Sequence, residues 1–269
     1  MSSVAAPVPS TGWLAELIRY RELLYFLAWR DVKVRYKQAA LGAAWAIIQP
    51  FFTMLVFTLF FGRFAGVPSN GVPYPIFSFC GLVAWMYFSS VLAQGGNSLI
   101  SNSNLITKVY FPRVLLPAAT ALGGLLDLGV ASGVLGAMMI YYRVPVGWPI
   151  LIAPLLIALM VLFVLGLSML TAALNVRYRD VKYVIPFALQ IWLFITPIIY
   201  PITFVPPQFR SWLALNPMTG IVEGLRASVL GTAMPEWHVL GLSCGITLAV
   251  FVAGLVYFRR AEREFADVV

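Results

Sequence analysis

One acidic residue, Asp127, stands inside an otherwise apolar run of the chain. Ionisable groups in such runs mark ion pathways, relays or paired charges, because a lone charge in hydrocarbon is costly. An ion-driven carrier needs several such groups, or broken helices that coordinate the ion. A single carboxylate offers little for that chemistry. The other reading of Asp127 is a pairing with a hydroxyl or an arginine at a subunit interface. The one histidine, His238, has no neighbouring ligands and reads as an interfacial polar residue. Cys80 and Cys244 both fall in apolar runs and read as small apolar core residues. Their spacing suggests neither a disulfide nor a metal site. None of the four lysines (Lys33, Lys37, Lys108 and Lys182) follows a glycine, so the chain has no GxxxxGK[ST] phosphate loop. No nucleophile, base and oxyanion set can be assembled. The chain is therefore expected not to be an enzyme and to hold no cofactor or metal of its own.

Composition says where such sparse polar groups must sit. Apolar residues make up 61% of the 269 residues and charged ones only 10%, against roughly 25% in ordinary soluble domains. Mean hydropathy is +0.89. The net charge of +8 would suit nucleic acid if it were gathered on one patch. It lies instead between long apolar runs, as in a multi-spanning membrane protein, and no nucleic acid is expected. The expected fold is all-α and integral to the membrane, with six transmembrane helices. A span needs about 20 apolar residues, and six runs qualify: about 41–62, 75–97, 114–142, 149–176, 183–200 and 239–258. Fourteen of the eighteen lysines and arginines fall in the N-terminal segment, the second and fourth loops and the C-terminal tail. That asymmetry puts both termini and those two loops in the cytoplasm. Met1 to Gly12 lacks a signal-peptide pattern, so insertion is expected to use the internal spans.

Two segments are neither spans nor plain loops. At about 100° per residue, Arg19, Glu22, Arg30, Lys33 and Lys37 share one arc of a helix, and Leu17, Tyr20, Leu24, Leu27 and Ala28 the opposite one. This predicts an amphipathic cytoplasmic interface helix with its apolar arc in lipid. Its basic arc is either a plain anchor or a docking surface. Between the last two spans, Pro206-Pro207 and Asn216-Pro217 frame two short helical pieces, with Pro217 suited to a first turn. Glu223 and Arg226, three apart, can pair on one face. We read an outer re-entrant helical hairpin here, because irregular backbone at membrane depth requires protein or water around it. The resulting division is a disordered 1–13, the interface helix 14–38, a six-span domain 39–260 with the hairpin at about 203–235, and a cytoplasmic tail 261–269.

These segments carry a resemblance. Val34-Arg35-Tyr36-Lys37-Gln38, Leu41 to Ala46 and Gln49-Pro50 resemble the start of the first span in ABC-2 type polysaccharide export permeases, which carry O-antigen, capsule, teichoic acid or galactan. Tyr110-Phe111-Pro112-Arg113 with Leu116-Pro117, Asn175 to Asp180, Thr196 to Tyr200, and Asn216 to Thr219 with Glu223 and Arg226 resemble later blocks of that family, in order, over residues 15–260. The resemblance implies a multi-pass subunit of the cytoplasmic (inner) membrane. It implies a homodimer working with two copies of a separate ATPase subunit, which binds ATP and Mg, on a lipid-linked glycan. It also implies that Arg30, Lys33, Asn104, Lys108, Tyr110, Arg113, Arg177, Arg179 and Asp180 meet the ATPase and transmit its stroke. Topology alone would also account for Arg177, Arg179 and Lys182. A hydrated polymer calls for a path lined by aromatics and amides rather than fixed charges. The candidates are Trp85, Tyr87, Phe88 and Gln94 on the second span, and Gln190, Trp192, Phe194 and Tyr200 on the fifth. Asn216, Pro217, Glu223 and Arg226 shape the outer hairpin. The alternatives are an ABC-2 lipid or drug exporter, and an ion-coupled carrier or scramblase using Asp127.

Overall fold

The computed structural model describes residues 18–37, 44–109, 111–178 and 180–262, and no strand occurs among them. Helix α1 (Arg21–Lys37) precedes α2 (Trp45–Phe57), which runs on as a π-helical segment, Thr58–Phe64. Then come α3 (Tyr74–Gly96), the short α4 (Ser98–Ser101) and α5 (Ser103–Lys108), and α6 (Leu115–Tyr141). A 3-10 turn, Trp148–Ile152, leads into α7 (Ala153–Arg177), followed by α8 (Val181–Ile195). Helices α9 (Pro207–Ala214) and α10 (Pro217–Leu230) precede the last helix, α11 (Trp237–Ala261).

Five of these helical segments are long and apolar enough to cross a membrane: Trp45–Phe64, Tyr74–Gly96, Leu115–Tyr141, Trp148–Arg177 and Trp237–Ala261. They coincide with five of the six expected spans. The sixth apolar helix, α8, is shorter than its expected span. It has 15 residues and rises about 22 Å, less than the roughly 30 Å of a hydrocarbon core. The reason lies at Thr196, which turns extended (ψ 137°) just before Pro197. The apolar residues that follow, Ile198 and Ile199, are buried as a turn rather than as helix.

Helix α3 is the axle of the bundle. It packs against α2, α6, α7, α8 and α10, and most of its residues are buried. Helices α7 and α11 cross backbone to backbone. A Cβ added at Gly254 would lie 2.2 Å from the carbonyl oxygen of Gly166, and one at Gly166 only 2.6 Å from Phe251 Cα. Small residues at such crossings let dispersion contacts replace the hydrophobic drive that lipid does not supply.

The N-terminal helix departs from expectation. Its apolar arc does not lie in lipid, because the protein itself covers it. Leu27 and Val32 are buried and Leu24 and Ala28 half-buried against the core. The backbone at Ala28 lies 3.4 Å from where a Cβ of residue 123, on α6, would stand. The open side mixes Phe26 and Trp29 with Lys33 and Lys37. The expected disordered segment 1–13, the first residues of the interface helix and the tail beyond Glu262 lie outside the described residues.

Candidate functional site

The basic end of the bundle is tied together by side chains from distant elements. Asn175, fully buried near the end of α7, donates to Gly96 O (3.0 Å) and to Asn97 Oδ1 (2.8 Å). This fastens the segment leading to Arg177 and Asp180 to the junction of α3 and α4. Arg113 donates its backbone N–H to Glu262 Oε1 at 2.9 Å, and its guanidinium to the Glu262 carbonyl. The loop before α6 is thus clasped to the end of α11. Asn104, Lys108, Arg177 and Asp180 are exposed, and Arg177 lies over the ring of Tyr178. Arg30 pairs with Asp31 at 2.8 Å, and Lys33 sits over Trp29. Tyr110 and Arg179 lie outside the described residues.

Asp127 is not alone. One carboxylate oxygen accepts from Arg35 and the other from the hydroxyl of Tyr36, both at the end of α1. The second Arg35 amino group donates to Gln94 Oε1 (2.6 Å), and Gln94 donates in turn to Ser90 Oγ (2.6 Å). Burial, reinforced by the Asp127 carboxylate, pushes the Tyr36 hydroxyl up to about 12, so it remains a donor. The network joins α1, α3 and α6. Sequence reasoning named Asp127 and an arginine or hydroxyl partner but not which ones. A signal was there: Arg35 sits about 200° from Lys33 on a helical wheel, so it points away from the basic arc and toward α6.

The residues expected to line a path divide. Trp85, Phe88 and Trp192 pack on one another and on Phe163, with Phe88 stacked on Phe163 at 5.5 Å and edge-on to Trp192 at 5.1 Å. These rings form part of the core of the chain and leave no room for a polymer to pass between them. Tyr87 is buried and donates to Ala121 O on α6 (3.1 Å). Gln190 and Phe194 are on the open face of α8. Tyr200 closes the end of that helix, donating to Phe194 O (3.0 Å) and Ile195 O (3.3 Å).

The segment after α8 is held by two polar knots. Asn216 caps α10: its Oδ1 accepts from Met218 N (3.1 Å) and from Trp192 Nε1 (3.0 Å), and its Nδ2 donates to Thr196 Oγ1 (2.9 Å). Pro217 supplies the first helical turn, and Gly231 ends the helix at φ +70°. All residues of α10 but Val229 are buried. The expected Glu223–Arg226 pair forms at 2.9 Å. Arg226, fully buried, also donates to the carbonyls of Phe77, Pro197 and Ile198 and lies 3.8 Å over the ring of Phe77. Gly81 leaves the space for it, since a Cβ there would stand 2.6 Å from an Arg226 amino group.

This bundle, with its buried short helix before the last span, can be set beside known proteins. A family profile described as ABC-2 type transporter matches residues 22–230. The chain belongs to the ABC-2 transporter family. Among its relatives is an O-antigen export system permease protein RfbA of Myxococcus xanthus, 29% identical over 94% of this chain and 97% of that protein. An RfbA permease of Klebsiella pneumoniae is 27% identical over 92% of this chain and 95% of its own length. The polysialic acid transport protein KpsM of Escherichia coli is 24% identical over 87% of this chain and 91% of its own. The ABC-2 profile ends at Leu230, the last residue of α10, so it takes in the Arg226 knot. It begins within α1, which makes Arg35 and Tyr36 part of the family's own segment. As an ABC-2 permease the chain is a multi-pass membrane component of a transporter.

Proposed function

We propose that this chain is the permease subunit of an ABC exporter of a lipid-linked polysaccharide, of the O-antigen, capsule, teichoic acid or galactan kind. The observation that carries this reading is its similarity, over nearly full length, to permeases named for O-antigen export and polysialic acid transport. The working unit is a homodimer in the cytoplasmic membrane, with both termini in the cytoplasm and two copies of an ATPase subunit that binds ATP and Mg. The location of fourteen of eighteen basic residues supports that orientation. The ATPase docks on the basic end, where Lys33, Asn104, Lys108, Arg177 and Asp180 are exposed. The clasps at Asn175 and Arg113 carry its stroke into α7, α6 and α11.

The path runs between two copies of the chain, along the open faces of α2 and α8. These faces carry large exposed apolar side chains such as Phe52, Phe60, Phe187 and Phe194, with Gln190 among them. Helices α9 and α10 form the outer, re-entrant hairpin at the exit, and the Arg226 knot keeps it rigid. The engagement of Asp127 by Arg35 and Tyr36 speaks against an ion-carrier reading, since the guanidinium already balances the charge that a transported cation would have to meet. The test is export of a lipid-linked glycan in inverted membrane vesicles containing the permease with and without its ATPase. Uptake should require ATP and both proteins. Transport by the permease alone at an equal rate would refute the proposal.

A further inference from the structure

Two cavities meet along the seam between α3 and α6. The first, about 480 Å³, is bounded by the end of α1, the start of α2, α3 and α6. Its wall carries Tyr36, Trp45, Gln49, Ser89, Ser90 and the Arg35–Asp127 pair. Asp127 lies twelve residues beyond the start of α6 at Leu115, about 18 Å along the helix from the basic end. The second cavity, about 270 Å³, continues between α3, α6, the start of α7 and α10. It is lined by apolar groups such as Cys80, Leu135, Met139, Ile157 and Leu225. Val83 and Leu128 border both. The two therefore adjoin along one groove-like seam, polar toward the basic end and apolar beyond it.

That sequence of linings matches an amphiphile lying along the bilayer normal. The charges of the polar part cancel, because Arg35 and Asp127 engage each other. A bare phosphate would call for unpaired cations. Serine hydroxyls and a glutamine amide instead both donate and accept hydrogen bonds, and the carboxylate accepts them, as the hydroxyls of a sugar require. Trp45 and Tyr36 add flat apolar faces with polar tips, which suit a sugar ring. We propose that this groove holds one glycolipid from the leaflet at the basic end, with a sugar of its head in the polar cavity and a hydrocarbon chain in the apolar one. The choice of a glycolipid rests on the export reading above; the amphiphilic groove stands on the cavities alone.

The test uses the full-length chain in nanodiscs that contain monoglucosyl-diacylglycerol, diacylglycerol with the same chains, and phosphatidylglycerol. Native mass spectrometry reads which lipids stay bound on release. The wild type should retain one glucosyl lipid per chain in preference to the other two. The double substitution Ser89→Ala with Ser90→Ala should weaken glucosyl-lipid retention about tenfold, as expected for two lost hydrogen bonds, and leave diacylglycerol unchanged. Gly136→Leu should lower retention of both, by filling the apolar cavity at a position where added atoms meet no neighbour. Equal retention of all three lipids by the wild type, or unchanged retention in both variants, would overturn the proposal. So would a second copy of the chain covering the groove and excluding lipid. Binding here needs no ATP or ATPase. A chain that exports glycan but retains no glycolipid removes the groove alone, and one that binds but never exports removes the export reading alone.

Discussion

Arg226 shows how a guanidinium survives in an apolar interior. It is fully buried, and its charge meets one carboxylate and three carbonyl oxygens while its flat face covers Phe77. Removing one partner of such a pair leaves the other charge buried and unpaired. Arg226→Ala is therefore expected to cost about 3–5 kcal/mol, read as a large drop in thermal stability of the solubilised permease. Arg226→Lys should recover only part of the loss, because an ammonium cannot reach carbonyls in several directions from one plane. Gly81→Ala should act like a mild version of the same change, since its methyl competes with the guanidinium for space. Asp127 makes the contrasting case. It is about a quarter exposed, so Asp127→Asn should cost about 1 kcal/mol or less and leave export intact. Export abolished at equal expression would return the ion-coupled reading. The Glu223–Arg226 pair was legible from three-residue spacing. The carbonyls that complete it were not, because they belong to residues 28 to 149 positions away along the chain.

Helix identity was the most legible level, and helix partners the least. Long runs without charge betray spans because hydrocarbon admits little else. The same runs do not say which face meets lipid and which meets protein, since leucine packs equally well on both. That is why the apolar arc of α1 was assigned to lipid although α6 covers it. It is also why Trp85, Phe88 and Trp192 were placed on a path although they fill the core. Aromatic composition suits either role. The end of α8 was marked by Thr196-Pro197, but the apolar Ile198 and Ile199 beyond it carry hydropathy past the point where the helix stops. The crossing of α7 and α11 belongs to this scale as well. Gly254→Ala would push a methyl into the Gly166 backbone, and backbone cannot step aside as a side chain can. We expect a loss of about 1–3 kcal/mol, seen as a lower unfolding temperature, and no loss from Gly245→Ala on the same helix, where space is open and alanine is the better helix former.

At the scale of the whole molecule, the sidedness of the bundle is the property most open to direct test. Cysteine placed at Ser69, in the loop between α2 and α3, should react with a membrane-impermeant thiol reagent on intact cells. Cysteine at Thr107, near the end of α5, should react only after permeabilisation. The reverse pattern would invert the topology and remove the docking face assigned to the ATPase. Thr107 is exposed and Ser69 is half-buried. The spans themselves were legible because apolar length is a property of the sequence that survives ignorance of any contact. The packing of α10 within the bundle was less so. Its 14 residues are too few for a span, and burial on nearly every side is decided by neighbours that only the folded chain supplies.

The Arg226 knot has a consequence for how the protein is made. Ribosomes deliver the chain from its N-terminus, so Phe77, Pro197, Ile198 and Glu223 have all been synthesised before Arg226 emerges. The arginine is thus the last of this group to be made, and no partner is still to come. Asp127 follows the same order, with Arg35 and Tyr36 synthesised ahead of it. In both cases the later charge of the pair meets partners that were synthesised before it.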